Sequence, residues 1–173
     1  METSRRSFLK AGALAALVLA AGGGIYRVTH PPAPKGFVLD GEGRSALHAI
    51  VPAILAGTLP TGSSARAQAI AAATERLNQT ILGLPLATQQ EVQDLFGLLA
   101  LGPARRLLTG IPHGWAEATD AEVSNWLQDW RTHRIALLRS AYQALHDLVL
   151  GSWYSDSANW AAIGYPGPLR ELV

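Results

Sequence analysis

Residues able to carry chemistry are few in this chain, and their spacing is unhelpful to catalysis. The histidines are His30, His48, His113, His133 and His146. No two stand four apart and none belongs to a His-Glu-x-x-His run, so no pair shares a helix face as a zinc site would need. His48 and His146 fall on predicted helices as polar-face or partly buried residues, His113 follows Pro112 in a loop, and His30 adjoins a run of prolines. Carboxylates that could do acid–base work are Glu91 with Asp94, Asp120 with Glu122, and Glu117. Both pairs lie at or near predicted helix N-termini, where acids complement the helix dipole. There is no Gly-x-Ser-x-Gly nucleophile elbow. Gly22-Gly23-Gly24 and the Gly-x-Gly at 41–43 follow no predicted strand, so neither reads as a phosphate cradle. Cysteine is absent, which excludes disulfides, iron–sulfur clusters and haem attached through Cys-x-x-Cys-His. The expectation is a chain with no catalytic, cofactor-binding or metal-binding residues of its own.

The side chains best suited to recognition lie at the other end. Trp153, Tyr154, Trp160, Ile163, Tyr165 and Pro166 crowd a stretch that also holds Gly164 and Gly167. Tyrosine and tryptophan bring large contact area with a polar tip and are favoured anchors at interfaces. The glycines allow the backbone to turn and lie close to a surface. These residues can dock on a partner or cover the chain's own bundle, and each reading can hold for different members of the set.

The elements that must position this tail read as helices. Asp40 can cap a helix running to about Ala56, with Leu47, Ile50, Val51, Ile54 and Leu55 at helical spacing. Pro52 lies inside that pattern and predicts a kink or a split. A second helix spans about 64–82, with Ile70, Ala73, Leu77 and Ile81 as its apolar line. Thr88-Gln89-Gln90-Glu91 has the form of a capping box for a third, whose buried face is Val92, Leu95, Phe96, Leu99 and Leu101. Gly102 ends it, and Pro103 suits the first turn of a short fourth helix through Leu108. A second capping box, Thr119-Asp120-Ala121-Glu122, precedes Val123, Trp126, Leu127 and Trp130, then a line through Ile135, Leu138, Tyr142, Leu145, Val149 and Trp153. Thr132 could cap a new helix, which predicts either one long bent helix or two with a break near it. No stretch alternates long enough to be a strand. The expected fold class is all-α: an irregular helical bundle with an N-terminal signal helix and an aromatic, Gly/Pro-rich C-terminal tail.

The N-terminus reads as an address. Ser4-Arg5-Arg6-Ser7-Phe8-Leu9-Lys10, followed by a small-residue apolar run, has the layout of a signal peptide, and the paired arginines mark the twin-arginine (Tat) route. Sixteen residues separate Lys10 from Arg27, several of them alanine and three of them consecutive glycines. A spanning helix needs about 20 apolar residues, so the run suits a transient signal better than an anchor. Ala20-Ala21-Gly22 offers small residues for cleavage without a clear Ala-x-Ala site, and an uncleaved, tethered form also fits. Residues 1–30 are therefore assigned as signal segment, 31–39 as a proline-rich linker and 40–173 as one helical domain. The basic balance belongs to the leader, with four Lys/Arg against one acid; the remainder holds ten against twelve. The body lacks the clustered basic face that nucleic acid would require.

The Tat route carries folded cargo, which either holds a cofactor or travels with a partner that does. The tail bears on that choice. Trp160-Ala161-Ala162-Ile163-Gly164-Tyr165-Pro166-Gly167-Pro168 resembles the closing motif of the gluconate 2-dehydrogenase subunit 3 family, and Trp153-Tyr154 stands where that family often has paired tyrosines. The resemblance covers the leader, the helical body in outline and the tail. It implies a non-catalytic small subunit of a periplasmic FAD-dependent sugar or alcohol dehydrogenase. FAD would reside in a large flavoprotein subunit of the glucose–methanol–choline type, and haem c, where present, in a multihaem cytochrome c. Its partners would be that flavoprotein and the Tat translocase. It would reside in the periplasm, associated with the inner membrane through its complex. A stand-alone exported binding or scaffold domain, and an independent enzyme, are the competing expectations.

Overall fold

The structure, a computed structural model, describes residues 36–167, without the side chain of Ala162. The chain divides into two units between Lys35 and Gly36, and the second is the one described. The predicted signal residues Ser4, Arg5, Arg6, Phe8, Leu9 and Lys10, and the linker up to Lys35, lie outside the described residues, as does His30.

The described residues are all-helical and contain no strand. The helices are α1 (Gly41–Ile54), α2 (Ser63–Leu82), α3 (Leu86–Ala100), α4 (Gly102–Thr109), α5 (Asp120–Thr132) and α6 (Ala136–Tyr154). One 3-10 turn, Trp115–Glu117, precedes α5, and another, Ser157–Ile163, follows α6. Helix α1 is the hub: it packs on α2, α3, α5, α6 and the Trp115 turn, while α6 lies along α2 and α5. Its composition permits this. Gly43, Ala46 and Ala49 are buried and let neighbours approach, while Leu47, Ile50, Val51 and Leu55 fill the spaces between them. Asp40 caps α1 as expected, accepting from the Gly43 amide at 2.8 Å.

Pro52 does not split α1. It sits in the last turn, and the helix ends at Ile54. A proline there removes only the bond to the carbonyl of His48, and His48 is exposed, where water can take its place. The periodic lines predicted for α2 and α5 are buried as expected: Ile70, Ala73, Leu77 and Ile81 on one, Val123, Trp126, Leu127 and Trp130 on the other.

The proposed capping box at Thr88 is not formed. Helix α3 begins one turn earlier, at Leu86 directly after Pro85, whose ring holds φ at −54° and turns the chain into the helix. This leaves Gln89 free for another role. Buried, it accepts from the Phe37 amide at 3.0 Å and donates to the carbonyls of Leu82 and Leu84 at 3.0 and 2.8 Å. One side chain thereby closes the end of α2 and holds the incoming chain against α3. Gln93 does the same for Val38 at 2.7 Å. Gly102 opens α4 rather than ending α3, which stops at Ala100.

The capping box at Thr119 is complete. Its hydroxyl accepts from the Glu122 amide, and Glu122 accepts from the Thr119 amide at 2.9 Å. Between α5 and α6 the chain breaks into two helices. Thr132 is the last residue of α5 and caps nothing; His133 serves the next turn, its Nδ1 accepting from the Ile135 amide at 3.1 Å.

Tryptophans weld the centre. Trp115, Trp126 and Trp130 form a tilted and then edge-to-face series with centroids 5.4 and 5.0 Å apart. Trp115 donates to the Leu99 carbonyl and Trp130 to the Leu108 carbonyl, both at 2.9 Å, so the C-terminal turns of α3 and α4 gain partners their own helices lack. The Arg105 guanidinium is buried over the Trp115 ring, 5.9 Å from its centroid, and reaches Glu42 on α1 at 3.9 Å.

Candidate functional site

The tail is built on the last turn of α6. Asp156 caps the second 3-10 turn, accepting from the Ala158 amide at 2.9 Å, and its other oxygen meets Arg76 of α2 at 2.7 Å. The carbonyls that α6 leaves open are taken by tail side chains. Asn159 donates to the Trp153 carbonyl at 2.8 Å, and the Trp160 indole donates to that of Tyr154 at 2.6 Å. Gly164 then adopts φ +70°, and its amide returns to the Ala161 carbonyl, reversing the chain. The reversal brings Tyr165 edge-on to Trp160, with centroids 5.2 Å apart at 66°. Gly167 follows at φ +98°, where a Cβ would stand 3.4 Å from the Trp160 ring. The motif is thus a hook folded around one indole.

The aromatic set divides. Trp153 is 6% exposed and belongs to the core with Leu145 and Val149, so its ring covers the bundle. Tyr154 and Trp160 are half-buried. Ile163 at 54% and Tyr165 at 45% are exposed, as is Pro166. The side chains offered to another molecule are therefore those that follow Trp160. Asp156, Asn159 and Arg76, which pin the hook, were missed in the sequence reading. Asp156 two residues before Ala158 has the spacing of a local cap, whereas Arg76 lies eighty residues from its partner and gave no local signal.

The other candidates do not converge. Among the described residues no group of three or more His, Cys, Asp or Glu side chains is placed to hold a metal. Glu91 and Asp94 are exposed on α3, and the earlier start of that helix moves them out of its first turn. Asp120 pairs with Arg66 of α2 at 2.7 Å, and Glu117 is exposed. His48 is exposed, and His146 stacks on Tyr142 beside Asp147.

Among the described histidines His113 has the most developed environment. Its Nε2 is 3.0 Å from Glu122, whose other oxygen accepts the Thr119 hydroxyl at 2.7 Å. The Gly114 carbonyl, then the Glu122 carboxylate, raise the imidazole above its ordinary 6.5. The Thr119 backbone and hydroxyl, then His113, hold Glu122 down at about 2. The order of contacts is wrong for a nucleophile: the hydroxyl faces the carboxylate, not the imidazole that would take its proton. The arrangement ties the 110–118 loop to the start of α5.

No helix among the described residues is long and apolar enough to cross a membrane. No family model matches the chain, and no curated protein or solved structure matches it either.

Proposed function

We propose that this chain is a non-catalytic small subunit of a periplasmic FAD-dependent sugar or alcohol dehydrogenase. It escorts the flavoprotein subunit through the Tat pathway and stabilises the complex. The observation that carries the reading is the pairing of a twin-arginine start with a Trp-Ala-Ala-Ile-Gly-Tyr-Pro-Gly motif in which Ile163, Tyr165 and Pro166 stand exposed on a pinned hook. An exposed Ile163, Tyr165 and Pro166 would be an unfavourable surface for a protein working alone, and a rigid one binds with less loss of side-chain freedom. Trp160 and Gly167 shape the hook from beneath, and Trp153 roots it in the core.

The division of labour follows. The flavoprotein oxidises the substrate and determines which sugar or alcohol is used. This chain supplies an export address and a docking hook. A multihaem cytochrome c would be the third member where electrons pass onward to the membrane. In co-expression, Arg5→Lys with Arg6→Lys is expected to strand the flavoprotein in the cytoplasm. Flavoprotein activity recovered from the periplasm in that strain would refute the escort role.

A further inference from the structure

The corner between α5 and α6 is chemically unlike the rest of the surface. Between Asp129 and Asp147 the sequence holds Arg131, Arg134 and Arg139 and no acid, in a body where acids outnumber bases. Elsewhere among the described residues four arginines are paired, Arg44 with Glu75, Arg66 with Asp120, Arg76 with Asp156 and Arg105 with Glu42, and Arg106 alone is not. The three at the corner meet no carboxylate among the described residues; Arg139 instead donates to the His133 carbonyl at 2.6 Å, fixing the turn. Two aliphatic side chains project from the same corner, Ile135 at 49% and Leu137 at 64% exposed. An open groove of about 450 Å³ lies at this corner, lined by Arg131, Arg139, Ser140, Tyr142, Gln143 and by Ala136, the residue between the two aliphatics in the chain.

The geometry points to this corner as a docking site for the surface of an anionic phospholipid bilayer. The arginines offer a fork of donors to phosphodiester oxygens, and the groove between Arg131, Arg139 and Ser140 has room for a headgroup. Ile135 and Leu137 supply the aliphatic wedge that enters the acyl boundary. Charge attraction combined with shallow apolar burial is the pairing of signals that holds peripheral proteins on such membranes. An acidic protein face would also satisfy the arginines; an open groove of headgroup size close to two exposed aliphatics favours the bilayer. The contact is independent of the accessory-subunit reading, because it uses neither the leader nor the hook.

The test uses the full chain. With no native cysteine, Leu137→Cys carries a single environment-sensitive fluorophore, and Gln90→Cys on α3, exposed and packed away with α1, α4 and α2, carries the control. Vesicles of phosphatidylglycerol mixed with phosphatidylcholine are expected to blue-shift the Leu137 probe and leave the Gln90 probe unchanged. Pure phosphatidylcholine vesicles should leave both unchanged, and added salt should reverse the shift. Each arginine near an anionic surface contributes roughly fivefold in affinity, so Arg131→Gln with Arg134→Gln should weaken binding about 25-fold. Equal shifts at both probes would mean adsorption through the leader and would overturn the proposal. So would an unshifted Leu137 probe on every vesicle; if the same arginine pair then weakens capture of the flavoprotein, the corner is a protein interface.

Discussion

Gln89 shows how much one polar side chain can determine. Its three bonds join the incoming chain to the end of α2. Gln89→Leu keeps the volume and removes all three. The Phe37 amide is then buried without a partner, whereas the Leu82 and Leu84 carbonyls, only partly buried, recover water. The expected loss is about 2 kcal/mol, read as a lower urea midpoint at unchanged slope; a change below about 0.5 kcal/mol would show that the chain relaxes around the site. His113 gives a pH-dependent counterpart. Its folded pKa is raised, so its contribution is complete below 6.5 and is lost as pH rises through the raised value. Glu122 is depressed to about 2 from its ordinary 4.5, so its contribution is complete above 4.5 and is lost as pH falls toward 2. The Tm gap between wild type and His113→Gln should be widest near pH 5.5 and narrow on the alkaline side. A gap constant from pH 5 to 9 would mean that the ion pair adds no stability.

Among the elements, the hook is the one whose shape and surface can be separated. Asp156, Asn159 and Trp160 hold it, while Ile163 and Tyr165 face outward. Ile163→Ser with Pro166→Ser, both exposed, should leave the unfolding free energy within about 0.5 kcal/mol of wild type, as exposed substitutions do, yet weaken flavoprotein binding at least tenfold. Trp160→Ala should weaken binding and also free the hook, seen as faster amide exchange at Gly164 and Tyr165, whose amides bond to carbonyls within it. Unchanged binding in the serine pair would assign the hook to self-packing alone.

For the whole molecule, α1 is the element every neighbour depends on. Leu47, Ile50 and Leu55 are fully enclosed. Leu47→Ala is expected to cost about 2–5 kcal/mol, enough to consume much of the stability of a domain this size. The same cut at Leu107, exposed on α4, should cost under about 0.5 kcal/mol. Comparable losses at the two sites, measured by urea denaturation, would mean that the hub is not where the core's stability resides.

The sequence alone determined the all-α class, the two apolar lines on α2 and α5, and the caps at Asp40 and Thr119, because helical periodicity and capping act over four residues or fewer. Pro85 at the start of α3 and His133 at the α5–α6 break also act locally, through a fixed φ and a bond to an amide two residues on; what spacing left open was which of the competing local signals would prevail. The division of the aromatic tail was tertiary. Trp153 and Tyr165 are both large aromatics twelve residues apart, and only the packing of α6 on α2, with Arg76 reaching Asp156, turns one inward and leaves the other outside. Local spacing encodes where a helix runs; which of its side chains meets water depends on contacts between residues far apart in the chain.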